Sequence, residues 1–223
     1  MKRLYILLAA VMLGVGGSTT AYAMGGLGSA QVRAAPVERT NGVIYVGDSR
    51  FNGMEMYLGK GGEFVIAKDS MGYNWLVNQA AYRIAAVKQA HPEVTQWRIV
   101  SGLGVNDICQ ADRYIQAYRA FKAAGDKVIA MSVNPSYGKR DSMNKEINDF
   151  NTKQANSGLD YFDMNSHLWK VGFLTVDGLH YSKSTYLEIW NELNHYIWAE
   201  RDRHATAAQE AAGAVPGRDA GSS

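Results

Sequence analysis

Between residues 42 and 201, short apolar runs rich in β-branched residues take turns with segments of helical period, and this alternation restricts the chain more than any other feature. The runs at 42–47, 63–67, 97–100, 127–133 and 159–164 are too short for helices, and Gly, Asp, Asn or Ser stands at the ends of several, as expected of buried strands. In the segment 76–90 the residues Leu76, Val77, Ala80, Ile84 and Val87 recur at helical spacing, and His91-Pro92 closes it, because proline disfavours helix at the preceding residue. A second helix is expected over 108–124, carrying Tyr114, Ile115, Tyr118 and Phe121 and stopping at Gly125. A more polar helix over 142–157 and a last one over 184–201 complete the pattern. In the last, Leu187, Trp190, Leu193, Ile197 and Trp198 are expected to face the core. Strands alternating with helices predict a parallel sheet between two helix layers, with ligands at the carboxyl ends of the strands.

The two ends of the chain have a different character. Lys2-Arg3 precedes an apolar run over 4–17 and then small residues at Ala21 and Ala23, the three parts of a secretory signal. The run is shorter than the roughly 20 residues a helix needs to cross a bilayer, so residues 1–23 are expected to be cleaved rather than to leave a membrane span. An uncleaved N-terminal anchor is the alternative. Residues 24–41 read as a linker, 42–201 as the folded domain, and 202–223, rich in Ala and Gly, as a disordered tail.

The chain contains 23 Lys and Arg against 21 Asp and Glu, and Lys2 and Arg3 account for the excess. A neutral body lacks the basic field that binding to a phosphate backbone draws on, so no nucleic-acid partner is expected. With 47% hydrophobic residues and four prolines the chain fits neither a disordered nor a fibrous protein. The single cysteine, Cys109, cannot form an intrachain disulfide and is expected to be a buried structural thiol. His91, His167, His195 and His204 have no evident partners and are expected to be surface or packing residues.

Four short motifs fall at expected strand ends. Gly47-Asp48-Ser49-Arg50 follows the first strand and reads either as an ordinary turn or as the turn that presents a nucleophilic serine, which would need a base elsewhere. Asp177-Gly178-Leu179-His180 precedes the last helix; the carboxylate can orient the imidazole as a base, or the four residues form a surface turn or a metal pair. Gly104-Val105-Asn106-Asp107 follows the third strand, where Asn106 could donate to an oxyanion, or Asn106 or Asp107 could cap the next helix. Gly72 follows the second strand, and a glycine there lets a backbone N–H approach a ligand.

Together these blocks, in this order across residues 44–181, resemble the SGNH hydrolases, the GDSL esterase/lipase family. The resemblance implies a three-layer α/β/α sandwich with a flavodoxin-like parallel sheet and an acyl-ester hydrolase that needs no metal or other cofactor. By position it makes Ser49 the nucleophile, His180 and Asp177 the acid/base pair, and Ser49, Gly72 and Asn106 the oxyanion hole. Arg50 stands where an apolar residue often follows the serine in that family.

Export narrows the substrate to esters found outside the cytoplasm, in an extracellular, cell-wall or periplasmic setting. Tyr73, Trp75, Tyr137 and Tyr181 neighbour the motifs and could stack on sugar rings or equally serve as packing residues, while Arg50 could attract an acidic glycan or pair with Asp48 or Asp69. The expected activity is hydrolysis of an acyl ester, O-acetyl on a carbohydrate before others; a small-molecule ester is the simpler form of the same substrate. The competing readings are an acyltransferase using the same serine, a lipase, and a glycan-binding module without turnover.

Overall fold

The computed structural model describes the backbone of residues 40–213 and the side chains of residues 41–199. The expected signal segment, all but the last two residues of the expected linker, and residues 214–223 lie outside the described residues.

Five strands form one sheet: β1 Thr40–Gly47, β2 Val65–Ala67, β3 Val94–Ser101, β4 Lys127–Met131 and β5 Asp160–Phe162. All neighbours are parallel, in the order β2-β1-β3-β4-β5. Helices α1 Ser49–Leu58, α2 Tyr73–Trp75, α3 Ala81–Ala90, α4 Ala111–Ala123, α5 Asn144–Ala155, α6 Met164–Val171 and α7 Lys183–Gly213 connect and follow them. A π-helical turn at Leu76–Ala80 joins α2 to α3, so the helix expected from residue 76 begins at Tyr73.

Side chains alternate across the sheet because successive strand residues point to opposite faces. Ile44, Val46, Ile99, Val128 and Ala130 pack with Leu76, Ile84, Tyr114, Tyr118, Ile147 and Phe150, from the π turn through α5. Tyr45, Val100, Ile129 and Met131 face the other way, onto Phe51, Met54, Leu168, Tyr186, Ile189, Leu193 and Ile197 of α1, α6 and α7. The described residues thus form the three-layer α/β/α sandwich with a flavodoxin-like sheet.

Several expectations need correction. Within 63–67 only Val65–Ala67 is strand, because the Glu55 carboxylate accepts from the N–H groups of Gly61 (2.8 Å) and Gly62 (3.0 Å) and Gly62–Phe64 closes into a 3₁₀ turn. Helix α6 was not legible, although Asp163 caps it by accepting from Ser166 N–H (3.1 Å). Strand β5 correspondingly ends at Phe162, two residues short of the expected 164. The final helix runs on to Gly213, so residues 202–213 are helical backbone rather than part of a disordered tail; five alanines between 205 and 212 favour that. Thr40 and Asn41 belong to β1, not to the linker.

Candidate active site

Strand β1 lies where the strand order reverses, with β2 on one side and β3 on the other, and the carboxyl end of such a strand borders the crevice in which α/β sheets bind ligands. Ser49 stands there as the first residue of α1. Asp48 is the helix N-cap, its Oδ1 accepting from Arg50 N–H at 3.0 Å, and this closes the turn that lifts Ser49 off the strand.

His180 reaches Ser49 from 131 positions away: its Nε2 lies 2.8 Å from Ser49 Oγ. Its Nδ1 lies 2.7 Å from Asp177 Oδ2. An ionised carboxylate only accepts, so the imidazole proton sits on Nδ1 and Nε2 is left to accept from the serine hydroxyl. Asp177 Oδ1 accepts in addition from the backbone N–H groups of Leu179 (3.0 Å) and His180 (2.8 Å). Partial desolvation raises the Asp177 pKa, but the hydrogen bonds from His180 and Leu179 outweigh it and hold the carboxyl well below the usual carboxylate range. The carboxylate therefore stays charged beside the imidazole.

Asn106 and Gly72 are brought to the same end of the sheet. The Asn106 amide donates one proton to Met71 O at 2.8 Å, which ties the loop after β3 to the one after β2 and leaves a second amide proton. Asp107 completes the tie: it accepts from Tyr73 N–H (2.7 Å) and from the Tyr114 hydroxyl (2.6 Å). Asp107 thus caps α2, whereas it makes no side-chain cap to the 3₁₀ turn Ile108–Gln110 that follows it. A Cβ on Gly72 would stand 2.4 Å from Asp107 Oδ2, so only glycine admits this approach. The backbone N–H groups of Ser49 and Gly72 donate to no other described residue.

The residues expected to meet substrate fare differently. Tyr73, Trp75 and Tyr181 are buried in the core, which fits the packing alternative and not the expected contact with substrate; the Arg113 guanidinium covers the Tyr73 ring at 4.0 Å. Arg50 is buried too. Its Nε lies 3.5 Å from Asp48 Oδ1 and its Nη1 donates to Asn134 O at 3.3 Å, so it pairs with Asp48 rather than Asp69 and does not face a ligand. Of these aromatics Tyr137 stays open, 59% exposed, with its N–H donating to Gly178 O in the loop that carries Asp177 and His180. Cys109 is exposed, not buried. Three histidines have acidic neighbours: His91 beside Glu93 and Glu63, His167 beside Glu188, and His195 beside Glu192. Among the described residues no group of three or more His, Cys, Asp or Glu side chains is arranged to hold a metal ion, and no helix is long and apolar enough to cross a membrane. Sequence reasoning weighed Asp48 only as a partner of Arg50 and Asp107 only as a cap on the next helix, and it missed Asn134; Asp48 and Asp107 stand in bends that follow β1 and β3, whereas Asn134 lies in irregular chain with no such signal.

No family model matches the chain, and no curated protein does. Solved structures do. The chain resembles a Bacteroides fragilis protein provisionally described as an acylhydrolase, at 15% identity and a TM-score of 0.52, covering 74% of this chain and 92% of that one. It resembles equally the C-terminal catalytic domain of Streptococcus pneumoniae peptidoglycan O-acetyltransferase A, at 12% identity and a TM-score of 0.52, covering 74% and 96%. What the chain shares with these two proteins is the fold.

Proposed function

We propose that the protein is an exported serine esterase in which Ser49 is the nucleophile, His180 the general base and acid, and Asp177 its orienting carboxylate. The observation that carries this reading is the unbroken line Ser49 Oγ, His180 Nε2, His180 Nδ1, Asp177 Oδ2 at 2.8 and 2.7 Å. His180 takes the Ser49 proton as Oγ attacks the ester carbonyl. The negative oxygen that forms is held by the N–H groups of Ser49 and Gly72 and by the Asn106 amide, a kind of donor worth about 10²- to 10³-fold in rate each. His180 then gives its proton to the departing alcohol as the C–O bond breaks, leaving an acyl-serine. Water, deprotonated by His180, attacks that ester, and the acid leaves with Ser49 restored.

The substrate proposed is an O-acyl, first of all O-acetyl, ester on a carbohydrate. Tyr137, exposed next to the acid/base loop, supplies a face on which a sugar ring can stack. Transfer is the second reading, favoured by the fold shared with a peptidoglycan O-acetyltransferase; a sugar hydroxyl would then replace water in the second step.

The test is a serine-directed fluorophosphonate probe followed by peptide mapping. Label on the Ser49 peptide, absent in Ser49→Ala together with hydrolysis of a short activated ester, is the expected result. Wild-type turnover in Ser49→Ala would sink the assignment. Acylated product on an added acceptor sugar, in place of free acid, identifies transfer.

A further inference from the structure

The buried Arg50 is the one departure from the motif pattern that lies next to the nucleophile in sequence. Burial by itself lowers the pKa of its guanidinium, but the charge of the Asp48 carboxylate and its hydrogen bond act the other way, and the group stays charged. One end of it is bound to Asp48, the residue that shapes the nucleophile turn. The other donates to the carbonyl of Asn134, in the loop that leaves β4.

That loop also holds the acid/base segment. The Tyr181 hydroxyl donates to Pro135 O, and Tyr137 N–H donates to Gly178 O at 2.9 Å. The approach is close: Gly178 has φ +88°, and a Cβ there would stand 2.4 Å from Tyr137 O. The loop is itself clamped by three asparagines. Asn151 exchanges two hydrogen bonds with the backbone of Val133 (2.7 and 2.9 Å), Asn165 donates to Val133 O (3.0 Å), and Asn144 brackets Ser136 through its N–H and carbonyl (2.9 Å each). Loop 132–137 is therefore a stiff bracket, joined on one side to the nucleophile turn through Arg50 and on the other to the residues flanking His180.

We infer that Arg50 is a positioning residue: by bridging Asp48 to Asn134 O it sets the separation of Ser49 and His180 through the bracket of residues 132–137. The inference rests on the proposed roles of Ser49 and His180. An apolar side chain at position 50 makes neither bond, and the ammonium of a lysine lacks the fork that reaches two acceptors at once. The arrangement is kept despite its cost, since Asp48 Oδ2 and Asn134 Oδ1 are buried with no partner among the described residues.

The experiment compares Arg50→Met, Arg50→Lys and Tyr181→Phe, with turnover of a short activated ester expressed per site titrated by fluorophosphonate. Displacing a reacting pair by about 1 Å can cost on the order of 10²-fold. The expected result is a fall of roughly tenfold or more in kcat for Arg50→Met with KM within about twofold, an intermediate value for Arg50→Lys, and a smaller fall in the same direction for Tyr181→Phe. Asp48→Asn/Arg50→Met, which removes the orphaned buried carboxylate, serves if Arg50→Met does not fold. A kcat within twofold of wild type in the folded Met variant overturns the inference. So does full activity in Arg50→Lys beside a loss in Arg50→Met, which would assign the effect to charge, or a rise in KM alone. If the wild type neither hydrolyses the ester nor takes the probe, the proposed function fails, not the tie. The tie is then read from the His180 ring nitrogen resonances, whose movement in Arg50→Met supports it and whose constancy overturns it.

Discussion

At the residue scale, Ser49, His180 and Asp177 come from two short blocks, a turn after a strand and a carboxylate three positions before an imidazole, and the side chains next to them in sequence point elsewhere. His180 ends the run of bends over 176–180 and Tyr181 begins the bridge to Thr175; His180 meets Ser49 while Tyr181 is buried. Arg50 follows Ser49 at the start of a helix and is turned about 100° away from it, into the interior. Tyr73 and Trp75 are likewise turned into the core by α2, which begins three residues earlier than the spacing of apolar residues predicts. Gly72 offers a sharp test at this scale. In Gly72→Ala the new methyl meets the Asp107 carboxylate, so either the cap on Tyr73 N–H opens or the Gly72 N–H moves. Steady-state kinetics should show kcat reduced by about 10²-fold with KM little changed; an unaltered kcat would remove Gly72 from the proposed oxyanion hole.

At the element scale, the period of the last helix was readable and Leu193 and Ile197 are buried as expected, but the edges of the buried stripe were not readable. Tyr186, Ile189, Leu193 and Ile197 form its buried stripe, whereas Leu187 is 38% and Trp198 42% exposed. Leu187 and Trp198 each follow a buried residue by one position, and a single helical step of about 100° carries a side chain off the buried face. The difference is measurable by denaturant unfolding. Leu193→Ala should destabilise the protein by about 2–5 kcal/mol, because it opens a cavity between α7 and the sheet. Leu187→Ala should change stability by less than about 1 kcal/mol. Equal losses would contradict the orientation of α7. Helix α6 escaped sequence reading because its eight residues hold too few turns for a period to show, and the 3₁₀ turns before β2 and before α5 depend on hydrogen bonds that composition does not announce.

On the scale of the whole molecule, the alternation of strand and helix and the positions of the strand ends were set out by the sequence, and so was the balance of charge that argues against a nucleic-acid partner. Export is a proposal at this scale, carried by Lys2-Arg3, the short apolar run and Ala21/Ala23. N-terminal sequencing of protein recovered outside the cytoplasm should begin at Met24; recovery of the full-length chain in the membrane fraction would favour an anchor instead. The sequence by itself determined the order of the five strands and of four of the helices, the fold class and the blocks from which a site could be built, because periodicity, turn chemistry and helix stops act among residues a few positions apart; it did not mark helices α1 and α6. Only the tertiary structure decided that Ser49 and His180 stand 2.8 Å apart, that Arg50 bonds to Asp48 and Asn134, and that Tyr137 rather than Tyr73, Trp75 or Tyr181 is open to solvent. Those contacts depend on strand order and on the rotation of each helix about its axis, which are settled by the packing of both sheet faces at once and leave no mark within any single segment.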